Sequence, residues 1–291
     1  MPSLHSSPPS QTGANALMAI TDQEFDRLRR LIHAKFGIHL TDQKRSLLIG
    51  RLQKLVRQTG FTDFADYYEH LVSDSSDQGL SDLVDRISTN HTYFNRENQH
   101  FNYFATQALP DIIRRLEQRK QRDLRIWCAG CSSGEEAYML LMLMHEHLGA
   151  DYAHWNAGIL ATDISSRVLN IARQGIYPED RISAIPENLR RKYLRPTTDG
   201  NWQFLPALRT EATFRRFNLM NEQFPFKSPF QIIFCRNVMI YFDRPTREAL
   251  IQRFHRHTES DGYLFIGHSE SLGQRNGLYN YIMPATYRRA G

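Results

Sequence analysis

The sequence is poor in cysteine and has no long apolar run. Its 291 residues include three cysteines, and an odd count without a secretion signal argues against a disulfide framework and favours a reducing compartment. No apolar segment approaches the ~18 residues that a membrane-spanning helix needs. The opening MPSLHSSPPSQTGANA has neither a basic nor an apolar signal region. These absences predict a cytoplasmic protein without membrane insertion, in which residues 1–17 form a disordered tail.

Acidic residues are in the minority, which gives the chain a formal net charge of +5. This charge indicates an acidic partner, but it does not by itself distinguish nucleic acid, anionic lipid and an acidic protein surface. Many basic residues lie near the amino terminus. Solvated helix faces explain most of them, and the alternative is a docking surface for an acidic helix. The basic residues are Arg27, Arg29, Arg30, Lys35, Lys44, Arg45, Arg51, Lys54 and Arg57.

The first third of the chain has helical periodicity and no glycine-rich cluster. Thr21 and Glu24 form a capping box ahead of apolar residues at helical spacing, and Gly37 is a stop signal. A second helix is predicted to start at Thr41, a third to be capped by Thr62, and a fourth to follow. We therefore predict an all-helical domain over residues 18–88, followed by a linker over residues 89–115.

From about Leu124, predicted strands alternate with predicted helices, which is typical of a parallel sheet with helices on both faces. The second domain is predicted to cover residues 116–291. In such sheets ligands bind beyond the carboxyl ends of the strands, where the strand order reverses. The predicted strands are Leu124–Ala129, Gly158–Thr162, Ala212–Phe217, Phe230–Cys235 and Tyr263–Gly267, and the predicted helices are Glu135–Leu148, Ser165–Gln174 and Arg244–His257.

Two strand ends carry residues that suit a nucleoside ligand. The first strand runs into a turn of small residues, which lets the backbone approach a ligand closely. Glu135 and Glu136 then open the helix, where carboxylates compete with a phosphate and favour a ligand with a cationic or hydroxyl-rich end. Asp163 ends the second strand, where ribose hydroxyls are usually held. An equally good explanation of Asp163 is that it caps the helix predicted at residue 165.

The fourth strand ends in FCRNVMIYFDRP, which places Arg236 and Asn237 directly after a buried run and predicts the rim of a cofactor cleft. A competing interpretation rests on Cys128 and Cys131, a C-x-x-C between a strand and a helix, as in thioredoxin-like redox sites. A zinc site would need further ligands such as Cys235 with a histidine. Both rank below small residues in a tight turn, because a redox site does not explain the polar residues downstream and a zinc site would need ligands scattered without regular spacing.

Five segments together resemble the CheR family of chemotaxis receptor glutamate methyltransferases, over about residues 21–287. Any one of them would be a weak signal, but five in the family's order are a strong one. The segments are Ser88–Glu97 (STNHTYFNRE), Cys131–Glu136 (CSSGEE), Ala161–Ser165 (ATDIS), Phe234–Asp243 (FCRNVMIYFD) and Gly267–Glu270 (GHSE).

The resemblance implies an α/β fold, with an all-helical N-terminal domain followed by a Rossmann-like class I methyltransferase domain that carries a small antiparallel β-subdomain insert at about residues 192–212. It implies methyl transfer from S-adenosylmethionine to glutamate side chains of chemotaxis receptors, which gives glutamate methyl ester and S-adenosylhomocysteine for adaptation. The implied partners are cytoplasmic receptor helices rather than nucleic acid, for a monomeric enzyme without a metal.

The resemblance also implies site residues. Arg96 and Tyr241 match the positions beside the reacting methyl group. The implied cofactor-binding residues are Asn90, Thr92, Arg96, Glu135, Glu136, Asp163, Asn218, Leu219, Arg236 and Asn237. Two departures, Asn95 in place of an aromatic residue and Ala137 in place of proline, affect fine geometry rather than a polar group that the chemistry needs.

Two alternatives remain open at the level of sequence. The same sheet and cofactor would serve methylation of RNA or of a small molecule, with the basic helices tracking phosphates. A non-catalytic protein that senses the cofactor is the other alternative, and the presence of both Arg96 and Tyr241 argues against it. The insert turns tightly at Asp199 and Gly200, so we do not expect docking that depends on a receptor tether.

Overall fold

The computed structural model describes residues 18–273 and 277–290, so the predicted tail over residues 1–17 lies outside the described residues. The chain divides into two compact units. Among the described residues, the first comprises residues 18–31 together with 40–87, and the second comprises residues 32–39 together with 88–273 and 277–290. No helix within the described ranges is long and apolar enough to cross a membrane.

The first unit is helical. The predicted capping box is present, since the backbone N of Thr21 donates to Glu24 Oε2 at 2.7 Å and the N of Glu24 donates to Thr21 Oγ1 at 3.2 Å. The prediction that Thr62 caps the third helix is wrong, because Asp63 accepts from the backbone N of Asp66 at 2.9 Å. The helices are α1 Asp22–Phe36, whose last turn belongs to the second unit, α2 Arg45–Gln58, α3 Phe64–Ser73 and α4 Gln78–Ile87.

The second unit is built on a seven-stranded sheet of order β6-β2-β1-β7-β8-β10-β9. The first five strands in this order pair in parallel, and β10 pairs antiparallel with β8 and β9. All five predicted strands are present, whereas β9 and β10 were not predicted. The strands are β1 Asp123–Ala129, β2 Asn156–Asp163, β6 Ala212–Arg216, β7 Phe230–Cys235, β8 Thr258–Ile266, β9 Tyr279–Met283 and β10 Thr286–Arg289.

The central strands are buried on both faces, which explains their nearly continuous apolar sequences. In β7 the alternate residues Ile232 and Phe234 belong to one core, and Ile233 and Cys235 belong to the other. Helices cover the sheet as predicted for residues 135–148 and 244–257. The helices of this unit are α5 Asn98–Tyr103, α6 Leu109–Gln118, α7 Glu135–Leu148, α8 Ser166–Gln174, α9 Glu179–Ile182, α10 Glu187–Tyr193, α11 Pro206–Glu211 and α12 Arg244–His257.

A second, three-stranded antiparallel sheet has the order β3-β5-β4. Two of its strands, β4 Leu194–Pro196 and β5 Trp202–Phe204, lie in the range predicted for the insert, and β3 Ile176–Tyr177 precedes that range. The turn between β4 and β5 contains Gly200 with φ +80°. Glycine adopts this left-handed conformation without the steric cost that a side chain would add.

Candidate active site

Strand order reverses between β1 and β7, because β2 follows β1 on one side of it and β7 lies on the other. This is where α/β sheets bind ligands. The turn after β1 contains Gly130 at φ +84° and Gly134 at φ +97°. A Cβ at Gly130 would lie 2.4 Å from Val238 Cγ2, and one at Gly134 would lie 2.9 Å from Ala172 Cβ. Only glycine therefore fits either position without displacing a neighbour.

Asp163 ends β2 and organises this turn. It is 8% exposed, and its Oδ2 accepts from the backbone N of Ser132 at 2.8 Å. Its Oδ1 accepts from the backbone N of Ser165 at 2.9 Å. The N-cap of α8 is Ser165, which accepts from Val168 N, so the capping explanation of Asp163 is wrong. The Oγ of Ser132 donates to the carbonyl of Asn90 at 3.1 Å, which brings the predicted residues Asn90 and Asp163 together.

Glu135 has no exposed surface and lies in an ion pair with Arg181. The hydroxyl of Ser133 donates to the same carboxylate at 2.8 Å. Arg181 Nη2 also donates to the carbonyl of Thr92 at 3.4 Å. Glu135 therefore holds the segment that carries Thr92 against the turn, and its oxygens are engaged by protein donors.

Arg236 is the centre of a buried ionic network. Its side chain is 3% exposed, and its Nη1 donates to Glu136 Oε2 at 2.7 Å. Its Nη2 donates to Glu97 Oε2 at 3.0 Å and to the main-chain carbonyl of Arg96. The guanidinium carbon lies 5.2 Å from the centre of the Phe101 ring. One cation thus joins α7, β7 and the segment before α5.

Asn237 adopts the left-handed conformation, with φ +58°. Its Nδ2 donates to Glu97 Oε1 at 3.1 Å, and its backbone N donates to Glu270 Oε2 at 3.0 Å. Glu270 also accepts from the backbone N of Gly267 at 2.6 Å and of Ile240 at 3.1 Å. Burial raises the pKa of Glu270, and these backbone donors oppose the rise. The GHSE segment therefore serves to hold the chain that follows β7.

The remaining predicted residues have other contacts. The guanidinium of Arg96 donates to the carbonyl of His91 at 2.8 Å. The carbonyl of Tyr241 accepts from His39 N at 2.8 Å. Asn218 Nδ2 donates to the carbonyl of Lys35 at 2.7 Å, and its neighbour Leu219 is buried in the core that contains Trp127. Asn218 follows Phe217, whose N donates to the carbonyl of Asp163 at 2.9 Å.

Sequence reasoning missed three residues that hold the site together. Glu97 and Glu270 lie inside segments that were singled out, STNHTYFNRE and GHSE, but their partners lie far away in sequence. Arg181 lies outside every such segment, and no sequence signal marks it. A buried carboxylate such as Glu135 requires a compensating cation. This requirement predicts that a cation lies nearby, but it does not identify Arg181.

The three cysteines are all buried. Burial, with the nearby Glu136, raises the pKa of the Cys128 thiol well above its usual value, and burial raises the pKa of Cys131 in the same way. Reactive cysteines need a lowered pKa and a partly exposed thiol, so the redox interpretation of the C-x-x-C is not supported. The zinc interpretation is not supported either, because the metal-ligating side chains that converge among the described residues include no cysteine.

Metal-ligating side chains converge at one place among the described residues, where ligand atoms of Glu97, His100 and His268 lie within 4.8 Å of one another. The group contains none of the cysteines. Glu97 in it is already engaged by Arg236. The group is therefore part of the ionic network around Arg236.

Known proteins that resemble this chain identify its family. A family model described as CheR methyltransferase, SAM binding domain, matches residues 90–287, and one described as CheR methyltransferase, all-alpha domain, matches residues 23–88. The chain belongs to the CheR methyltransferase family. It is an S-adenosylmethionine-dependent methyltransferase of chemotaxis.

Curated relatives of this CheR protein match it over most of their length. The chemotaxis protein methyltransferase of Borreliella burgdorferi is 43% identical over 280 residues, covering 96% of this chain and 99% of that protein. The Escherichia coli chemotaxis protein methyltransferase is 36% identical over 260 residues, covering 88% and 86%. A solved glycopeptide N-methyltransferase, MtfA with S-adenosylmethionine, is 15% identical with a TM-score of 0.30, covering 49% of this chain and 43% of that one.

The acceptor groups at this site fit the cofactor of the CheR family. S-adenosylmethionine carries a sulfonium, an ammonium and ribose hydroxyls, and the site presents the carboxylates of Asp163 and Glu136 beside a turn that excludes a Cβ. Carboxylates suit cations and hydroxyl donors, whereas they would repel a phosphate. When bound, the cofactor supplies the methyl group.

Proposed function

We propose that this CheR protein methylates the side-chain carboxylate of glutamates on chemotaxis receptors, with the product S-adenosylhomocysteine. The observation that carries the proposal is the carboxylate-lined turn at the point of strand reversal, in a chain whose two family matches together span residues 23–88 and 90–287. The names of the relatives support chemotaxis as the process. Asn90, Thr92, Glu136, Asp163, Asn218, Leu219, Arg236 and Asn237 are the proposed cofactor-binding residues, with Glu135 behind them.

The reaction needs orientation rather than a strong base. A glutamate with a pKa near ~4.3 is already ionised at neutral pH. The enzyme has to remove water from the carboxylate and align one oxygen with the methyl group. We assign the orientation of the carboxylate to Arg96 and a hydrogen bond along the line of attack to Tyr241. Arg96 is partly exposed and donates to a main-chain carbonyl, so its guanidinium retains donors for a substrate.

The partner that we propose is an acidic receptor helix bound by the first unit. Several basic residues of this unit are internally paired, such as Arg27 with Glu69 and Arg45 with Asp22. Lys54 on α2 is exposed. The docking surface is therefore smaller than the run of basic residues in the sequence suggests.

Transfer of labelled methyl from S-adenosylmethionine to receptor-containing membranes tests the proposed function. We expect label that mild alkali releases as methanol, because carboxyl methyl esters hydrolyse in alkali. Arg96→Ala should lower the rate at least about tenfold, the effect of losing a hydrogen bond to a charged group. The measured quantities are released methanol and initial rate.

Arg244→Ala is the matched control, because Arg244 is an exposed arginine that pairs with Glu248 four residues away. It should retain the full rate. Alkali-stable label would contradict carboxyl methylation and point to nitrogen or nucleic acid as the acceptor. A full rate in Arg96→Ala would show that Arg96 does not contribute to catalysis. It would not contradict carboxyl methylation.

A further inference from the structure

Three donors converge on the carboxylate of Glu97, two from consecutive residues after β7 and one from the segment after β8. Arg236 Nη2 donates to its Oε2 at 3.0 Å, and Asn237 Nδ2 donates to its Oε1 at 3.1 Å. The backbone N of His268 also donates to Oε1, at 3.3 Å. The side chain of Glu97 is 14% exposed, and its backbone is left-handed with φ +53°. A non-glycine residue in this conformation is uncommon and often marks a functional constraint.

The contact with Glu97 fixes which way the Asn237 amide faces. An ionised carboxylate only accepts hydrogen bonds, so the NH₂ group of Asn237 has to point toward it. The amide oxygen of Asn237 is therefore left as an acceptor for another donor. S-adenosylmethionine carries such donors in its amino groups. The carboxylate thus selects one of the two amide orientations that are otherwise similar in shape.

Glu97 also fixes the second residue of the pair. Arg236 lies between the carboxylates of Glu97 and Glu136 and donates to the main-chain carbonyl of Arg96. Removing the Glu97 charge would leave Arg236 with one carboxylate partner. Charge-assisted pairs of this kind set geometry as well as energy.

We propose that Glu97 is a positioning residue for S-adenosylmethionine, which acts by holding Asn237 and Arg236 in their binding orientations. The inference rests on the proposed function, because it takes Asn237 and Arg236 as cofactor-binding residues. Glu97 reaches the cofactor through Asn237 and Arg236 rather than by direct contact.

The carboxylate is charged under working conditions. Burial acts to raise its pKa, but the Arg236 charge and the hydrogen bonds from Asn237, Arg236 and His268 outweigh burial and lower the pKa of Glu97. An isosteric amide at position 97 therefore removes a charge that is present at neutral pH. It also presents an NH₂ group to three donors.

Glu97→Gln tests the inference by equilibrium binding of S-adenosylmethionine, measured calorimetrically on the full chain. We expect the Kd to rise at least about tenfold, with a cooperative thermal transition retained. The matched control is Glu211→Gln. Glu211 is also a partly buried acceptor, bonded to His145 Nε2 and Tyr152 OH at 2.7 Å each. Glu211→Gln should bind as the unsubstituted protein does, and an unchanged Kd in Glu97→Gln would overturn the inference.

A double-mutant cycle with Asn237→Ala separates positioning from a general structural effect. Because Glu97 acts in part through Asn237, the loss of affinity in the double variant should be smaller than the sum of the losses in the two single variants. Additive losses would overturn the inference. An unchanged Kd in Asn237→Ala would overturn it as well, since the positioned residue would then contribute nothing.

A charge-swapped pair keeps the test valid if Glu97→Gln does not fold. Asn237→Asp places two carboxylates together and should weaken binding. Adding Glu97→Gln to Asn237→Asp again pairs one amide with one carboxylate, now with the two groups exchanged between positions 97 and 237. This double variant should recover part of the lost affinity. A double variant that binds as weakly as Asn237→Asp would contradict a direct contact between the two positions. Methyl transfer by the unsubstituted protein is measured in parallel. Failure to form an alkali-labile ester there contradicts the proposed function, while the binding data judge the role of Glu97 independently.

Discussion

Arg236→Met is expected to lower the free energy of unfolding by about 3–5 kcal/mol, because removing one partner of a buried ion pair leaves an uncompensated charge. The side chains of Glu97 and Glu136 are 14% and 13% exposed, and Arg236 holds both. Methionine fills similar volume, so the loss reports mainly the unpaired carboxylates rather than a cavity. Urea unfolding followed by tryptophan fluorescence measures it, since Trp127, Trp155 and Trp202 all lie in the second unit.

Arg244→Met is the control for Arg236→Met. Arg244 pairs with Glu248 at 2.7 Å, with side chains 82% and 58% exposed. Solvent screens exposed pairs of this kind and leaves them little net energy, so the control should change stability little. A loss below about 1 kcal/mol in Arg236→Met would show that Glu97 and Glu136 find other partners or become protonated.

The sheet could be predicted where burial imposes a pattern. Strands β1 and β7 are buried on both faces, so their sequences are nearly continuous apolar runs bounded by polar residues. β9 was missed because three of its five residues are exposed and Tyr281 is 62% exposed, which removes that signal. Thr62 and Asp63 are both good capping residues in adjacent positions, so propensity alone could not choose between them.

Position in the fold predicts site residues only at strand ends, whereas Asn90, Thr92 and Arg96 were predicted from the family resemblance. Asp163 and Arg236 follow buried strands, where the fold places ligands. Glu97 and Arg181 act through partners far along the chain, and only the folded backbone brings those partners close. Arg236 was predicted in place but not in its contacts. Its burial between two carboxylates depends on residues from three separate segments.

His100 carries the other large expected effect, a loss of stability on mild acidification. Its side chain has no exposed surface. The charged groups that act on its imidazole are Arg236, His268 and Glu97. Burial, with the charges of Arg236 and His268, lowers the pKa of His100 to about 4, against the opposing effect of Glu97. The imidazole is therefore neutral in the folded protein at pH values where it is already protonated in the unfolded chain.

The sign of the effect follows from that difference. Between about pH 6.5 and pH 4 the unfolded state binds the additional proton, so the free energy of unfolding decreases as the pH falls through this window. The full contribution is about 3 kcal/mol, of which about 2 kcal/mol is lost by pH 5.

His100→Gln removes the titrating group and keeps a donor for the carbonyl of Pro284, which accepts from His100 Nε2 at 3.4 Å. Between pH 7.5 and pH 5, the free energy of unfolding of His100→Gln should fall by about 2 kcal/mol less than that of the unsubstituted protein. Urea unfolding followed by tryptophan fluorescence measures both decreases. His154→Gln, in which an exposed histidine is replaced, should follow the unsubstituted protein, and equal losses in all three proteins would show that His100 is not the group responsible.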